Sequence, residues 1–343
     1  MAVFLGIGLT ACGSGGSGGG PTTVSVGISG AVSDAPLYLA DALGYFKDQN
    51  ITVELTNFPS SSDMIAPLGT GDLQVGASGA TAAFYNAIDR GVGVRMVADK
   101  GRVIPGKSYE SILVDKRLWD SGQVRSMADL RGRTVADYQE SSTTSAFLNA
   151  GLEKAGLAIG DVNRTYITGA QHLAALQNGS VAASVTPEPF GTAAVDQGIA
   201  VRLPESDDMY PNQQTSVLLY GERFIKEDSD AAQRFMVAYL RAARTYNDAI
   251  GPDGRLTGPA AGQVVPILAQ RTGVSEDVLR RITVNGVDPG GALNRDGIER
   301  DIRFYAAGGW LTNPSVALDD CIDLGFAEKA SAELGPYVAP LPG

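Results

Sequence analysis

The chain has 343 residues, 44% of them hydrophobic, and its 27 basic and 38 acidic side chains leave a net charge of −11. That balance argues against nucleic-acid binding, which needs basic surface against phosphates. The apolar fraction allows a sizeable core in one large or two ordinary domains. A single histidine, His172, and two cysteines, Cys12 and Cys321, offer no metal cluster and a poor start for hydrolytic catalysis.

Ala2–Leu9 is a short apolar run, well under the roughly 20 residues of a membrane span but of the size of a signal-peptide core. It ends in Leu9-Thr10-Ala11-Cys12, which resembles a bacterial lipobox; residues 1–12 then read as a signal segment with Cys12 as the lipidated residue. No Lys or Arg precedes the run, which departs from the signal pattern; a start placed too late or a trimmed chain would each account for it. The GSGGSG at 13–18 matches a dinucleotide fingerprint literally. A strand-like TTVSVGIS follows it, however, and no helix opens to face a pyrophosphate. Residues 13–22 therefore read as a flexible tether.

Strand and helix patterns then alternate. Val24–Ser29, Ile51–Thr56, Leu73–Ala77 and Val94–Ala98 read as strands. Pro36–Phe46, Asp63–Leu68 and Thr81–Arg90 read as helices between them. The pattern restarts with strands at Arg133–Asp137, Arg164–Ile167, Ala182–Val185 and Ala200–Leu203, and helices at Thr143–Ala155, His172–Leu176 and Gly191–Gln197. Such β-α-β-α order predicts parallel sheets covered on both faces. MIAPLGTGDLQVGAS (64–78) and HLAALQNGSVAASVT (172–186) share one layout at an offset of 108: a short helix, a glycine cap, then a small-residue strand. This supports two similar lobes. The tail is helical, at Asp230–Ile250, Gln263–Thr272, Ser275–Ile282, Asn294–Ala307 and Asp319–Leu334, with Cys321 read as a buried helical residue.

APLYLADALGYFKDQNITVEL (35–55), LGTGDLQVGASGATAAFYNAIDRGVGVRMVAD (68–99), MADLRGRTVA (127–136), LEKAGLAIGDV (152–162), ALQNGSVAASVTPEPF (175–190) and LYGERFIKEDSDAAQRFMVAYLRAARTYNDA (219–249) together resemble one family. It is the nitrate/sulfonate/taurine and thiamine-precursor group of ABC-transporter substrate-binding proteins. The resemblance implies an α/β, two-lobed type II periplasmic binding fold with a helical C-terminal extension packed on lobe 1. Lobe 1 would hold 24–100 plus 215–343 and lobe 2 would hold 108–210, with crossovers near 99–110 and 204–216. It implies a lipid-anchored, extracytoplasmic monomer that passes a small organic molecule to an ABC permease and ATPase, with no cofactor and no metal. Two alternatives share the fold: an enzyme of the thiamine-pyrimidine synthase or menaquinone-pathway type, and a ligand-sensing receptor partner. The synthases carry a cysteine-rich motif, and this chain has no cysteine between Cys12 and Cys321.

In open α/β sheets ligands sit beyond the carboxyl ends of the strands, where helix N-termini gather. The loops there supply the candidates: Ser29, Ser33 and Asp34; Ser78, Gly79 and Thr81; Ser141, Ser142 and Thr143; Thr186 and Glu188. The crossovers add Arg102, Tyr109 and Gln214; His172, which the offset pairs with Met64, reads either as a cleft residue or as a surface or structural histidine. Tyr38 is a further aromatic candidate. Ser and Thr at these positions also read as plain helix caps. Glu188 stands where the family commonly carries an acidic residue in a Trp-Glu-Pro-like motif, but Thr186-Pro187 replaces the aromatic.

Overall fold

The computed structural model describes residues 20–339, so Cys12 and residues 13–19 of the tether lie outside the described residues. The first run of elements is β1 (Thr22–Ile28), α1 (Ala35–Ala42), α2 (Tyr45–Asp48), β2 (Ile51–Asn57), α3 (Ile65–Thr70), β3 (Val75–Ser78), α4 (Ala82–Asp89) and β4 (Val94–Arg102). The second is β5 (Glu110–Asp115), α5 (Lys116–Asp120), β6 (Thr134–Asp137), α6 (Thr143–Lys154), β7 (Asn163–Tyr166), α7 (Gly169–Asn178), β8 (Ala183–Pro187), α8 (Phe190–Asp196) and β9 (Ala200–Arg202). The chain then returns through β10 (Gln214–Gly221) to α9 (Glu222–Glu227), α10 (Ser229–Asn247), α11 (Ala261–Thr272), α12 (Glu276–Arg281), α13 (Arg295–Ala307) and α14 (Gly325–Leu334).

These strands build two five-stranded sheets, ordered β2-β1-β3-β10-β4 and β7-β6-β8-β5-β9. The β-branched stretch TTVSVGI of β1 lies between two parallel neighbours and buries Val24, Val26 and Ile28. Gly27 is glycine for packing: a Cβ there would come within 2.8 Å of Leu73 Cδ2. One face of the first sheet packs on α10, whose residues Phe235, Tyr239 and Tyr246 join Leu37 and Leu39 of α1 in one core. Its other face packs on α3, α4 and α13. The second sheet is sandwiched between α6 on one face and α7 with α8 on the other. The C-terminal helices α11 and α14 complete the first core.

Three expectations need correction. Pro36–Phe46 is not one helix: α1 ends at Ala42, and α2 starts after Gly44, whose φ of +77° turns the chain. Asp319–Leu334 likewise divides into a 3-10 turn at Leu318–Cys321 and α14, with Cys321 buried at the end of the turn. The sheets are mixed rather than parallel, because β10 runs antiparallel to β3 and β4, and β5 runs antiparallel to β8 and β9. The cause is the route of the chain. Each crossover delivers a strand into the next sheet at the edge where the parallel strands end, so that strand must run back against them. The repeated layout does hold: Gly71 and Gly179 close their helices with φ of +84° and +79°, and β3 and β8 are each the central strand of their sheet.

Candidate functional site

The two sheets turn the same edge toward each other. At that edge β1, β3 and β4 end at Ile28, Ser78 and Arg102, and β6 and β8 end at Asp137 and Pro187. The crossover segments 103–109 and 203–213 run side by side, tied by Val103 N–H to the Gln213 carbonyl at 2.9 Å. Two helix N-termini meet beside them. The Ala82 N–H of α4 donates to the Ser141 carbonyl before α6 at 3.2 Å. A Cβ on Gly79 would lie 3.7 Å from Thr143 Oγ1 and 3.6 Å from the Thr215 carbonyl, so the loops are in contact. Gln213 Nε2 donates to the Thr143 carbonyl at 2.8 Å. Ser142 caps α6, accepting from Ser145 N–H. Thr81 sits at the cap position of α4 with extended backbone, but its side chain does not cap, and its buried Oγ1 has no partner. Convergent helix starts with an unpartnered hydroxyl beside them suit a negatively charged or strongly polar group.

Several candidate side chains are engaged within the fold. Asp34 accepts from the N–H and Oγ of Ser29 and from Ala31 N–H, and it meets Lys100 Nζ at 2.6 Å in a fully buried pair. The same Nζ donates to Ser33 Oγ at 3.2 Å. Ser78 Oγ donates to the Gly79 carbonyl. Arg102 pairs with Asp288 at 2.8 Å and reaches Asp99 at 3.7 Å. Gln214 Nε2 donates to Asp99 and to the Gly101 and Ser216 carbonyls, while its oxygen accepts from Asn294 N–H. Glu188 accepts from the N–H and Oγ1 of Thr192, closing the start of α8. Tyr38 is buried in the first core. Tyr109 is buried immediately before β5.

His172 is buried between Thr186 Oγ1, at 3.0 Å from Nδ1, and the Ile167 carbonyl, at 3.1 Å from Nε2. A carbonyl only accepts, so Nε2 carries the hydrogen and Nδ1 accepts from Thr186. Burial pushes the imidazole below its ordinary value, which keeps it neutral. Tyr138 packs edge-on against the ring at 4.9 Å.

The sequence reading did not single out Lys100, Glu110, Asp137, Gln213, Thr215, Ser216 or Asn285, all of which are buried in this region. Thr215 Oγ1 donates to the Gly101 carbonyl and accepts from Asn285 Nδ2, and Ser216 Oγ and Asn285 Oδ1 lack partners. Gly101 permits this packing, since a Cβ would sit 2.8 Å from Ser216 Oγ. The polar run Gln213-Gln214-Thr215-Ser216 was a usable signal in a strand otherwise apolar. Asn285 arrives from about 70 residues away and had none. Burial also raises four carboxyls here: Asp99 to about 6, Asp301 to about 7, Glu110 to about 8, and Asp137 above its ordinary value.

The family model described as NMT1/THI5 like matches residues 32–249, well over half of the chain. The chain belongs to this family. A curated relative from Escherichia coli strain K12, named "Putative aliphatic sulfonates-binding protein", is 27% identical over 227 residues. That alignment covers 66% of this chain and 64% of the relative, so the chain spans just under two thirds of the curated relative's length. Among solved structures, the alkanesulfonate-binding protein of Xanthomonas axonopodis pv. citri bound to MOPS is similar at 22% identity. The match covers 89% of this chain and 99% of that one with a TM-score of 0.68. The desulfurization enzyme DSZB is similar at 17% identity, covering 92% and 100%, with a TM-score of 0.63. At such identities the structures establish the fold: a two-sheet α/β type II periplasmic binding fold with C-terminal helices.

Proposed function

We propose that the protein is an extracytoplasmic solute-binding component of an ABC importer that captures a small organic anion, a sulfonate first among the candidates. In this reading residues 24–100 with 215–343 form one lobe, 108–210 form the other, and the solute lies between them. A lipid on Cys12 would hold the protein at the membrane, and a permease with its ATPase would accept the solute. The observation that carries the reading is the meeting of the α4 and α6 N-termini, with the buried, unpartnered Thr81 Oγ1 beside them. Negative charge is favoured at helix starts by about 0.3–1 kcal/mol each, more when partly buried. The sulfonate-binding name of the curated relative agrees in chemical class.

The test is thermal denaturation of the full chain against ethanesulfonate, MOPS, nitrate, benzoate and a pyrimidine. A ligand present at about 100 times its dissociation constant adds about 2.7 kcal/mol of stability. A sulfonate should raise the melting temperature, and Thr81→Val should weaken that rise about tenfold in concentration dependence. No shift with either sulfonate would defeat the sulfonate assignment. The fold shared with a desulfurization enzyme supports a second reading, hydrolysis of an organosulfur compound. Release of sulfite from a sulfinate by the purified protein would favour it over transport.

A further inference from the structure

Three buried carboxyls sit on elements that pack together: Glu110 and Asp137 share with Ile112 and Val135 the face of the second sheet covered by α6, and Asp301 lies on α13, which packs against α6. Asp137, at the end of β6, accepts from Thr144 Oγ1 at 2.6 Å, Ser145 Oγ at 2.6 Å and Tyr138 N–H at 2.7 Å. Asp301, on α13, accepts from Tyr210 OH at 2.7 Å. Glu110, the first residue of β5, is 4% exposed and its Oε2 has no partner. Gln213 Oε1, on the adjoining crossover, is also a buried acceptor without a donor. A carboxylate on Glu110 would thus stand among acceptors, whereas a carboxyl bearing a proton brings the missing donor.

The charges around it do not neutralise it. The charges of Asp137 and Asp301 both act on Glu110 and, after burial itself, push its carboxyl up to about 8. Tyr109 and Tyr138 also face it and are themselves raised by burial, so they stay neutral. Two guanidiniums bear on the other two carboxyls, and each is already paired with a glutamate. Arg300 bears on Asp301 while it pairs with Glu153 at 3.3 Å and lies over the Tyr210 ring. Arg164 bears on Asp137 while it pairs with Glu140 at 3.7 Å. Tyr85 and Tyr305, near Asp301, are neutral as well.

The anchorage of the three groups differs. Glu110 and Asp137 belong to the second sheet. Asp301 belongs to a helix whose Ile298, Ile302 and Tyr305 are fixed in the core of the first sheet. Like charges on the two sides of this joint repel each other across it. We propose that Glu110, Asp137 and Asp301 form a proton-operated switch: with a proton on Glu110 the second sheet and α13 stay together, and loss of that proton to solvent drives them apart and opens the cleft. The switch goes beyond the solute-binding reading and does not depend on which solute is carried.

Small-angle scattering of the full chain at pH 6 and pH 9, without ligand, tests it. A compact chain of 343 residues has a radius of gyration of about 20 Å. The wild type should be compact at pH 6 and expanded at pH 9, with unchanged far-ultraviolet circular dichroism. Glu110→Gln, which keeps the shape and cannot ionise, should stay compact at both. Asp301→Asn should reduce the expansion and serves as the second variant if Glu110→Gln fails to fold. Equal radii for the wild type at both values, or an expansion in Glu110→Gln as large as in the wild type, overturns the proposal.

Discussion

The two halves of the molecule use one strand order and treat buried acids in opposite ways. In the first, the buried Asp34 receives three hydrogen bonds and a buried lysine 2.6 Å away. Asp99, raised to about 6, receives N–H groups from Gly101 and Asp288 and the amide of Gln214, each at 2.7 Å. In the second, Asp137 is held by hydroxyls and one N–H and Glu110 Oε2 has no donor, while Asp301, carried by α13 of the first half, accepts from the Tyr210 hydroxyl. A buried carboxylate matched by a cation is costly to disturb, because removing the cation leaves its charge uncompensated. One without a cation is pushed toward its neutral form by burial. The first half therefore surrounds its buried acids with donors and a cation, and the second leaves Glu110 Oε2 with neither.

The largest break in that comparison is to take the cation from the first half. Lys100→Met leaves Asp34 charged and buried, and should cost about 3–5 kcal/mol, measured by urea unfolding at pH 7. An equally stable variant would show that the hydroxyl and N–H groups alone hold Asp34.

A smaller, pH-dependent change should come from the second half. The folded value of Glu110, about 8, lies above its unfolded value, so the neutral form is favoured by folding. The associated stability is present below about pH 4, the unfolded value, and is lost as pH rises through the folded one. Glu110→Gln should accordingly match the wild type near pH 5 and exceed it at pH 8.5 by a few kcal/mol, since a tenfold change in proton affinity is worth about 1.4 kcal/mol. Parallel stability profiles for the two proteins would remove Glu110 from the account.

The smallest effect is expected where the halves touch in solvent. Arg281 on α12 pairs with Asp196 on α8 at 2.7 Å, both sides about two-fifths exposed. Asp196→Ala should leave the melting temperature within experimental scatter at about 150 mM salt, because exposed pairs are screened. A clear loss would mark this contact as part of closure.

Element order was legible from the sequence because it rests on local patterns. The strand signal in TTVSVGI, the glycines at 71 and 179 after their helices, and the amphipathic run at 229–247 each read correctly from a few neighbouring residues. The break at Gly44 was not legible, because apolar periodicity continues across the turn and makes Pro36–Phe46 read as one helix. The direction of β5 and β10 was not legible, since alternation along a strand carries no information about its neighbour's direction. At the candidate site the sequence marked the loops by position and hydroxyl content. It did not mark their partners: Lys100 looks like an ordinary surface lysine at the end of VRMVADK, and Glu110 like a polar residue in a connecting segment.

By itself, then, the sequence determined the alternation of strands and helices, the repeated half and the loops that gather at the carboxyl edges, because propensity, period and caps act over a few residues. Only the tertiary structure decided which carboxyls meet a cation and which meet each other. That outcome depends on groups up to about 190 positions apart in the chain, as Glu110 and Asp301 are, and on burial that removes the water which would otherwise make every carboxylate alike.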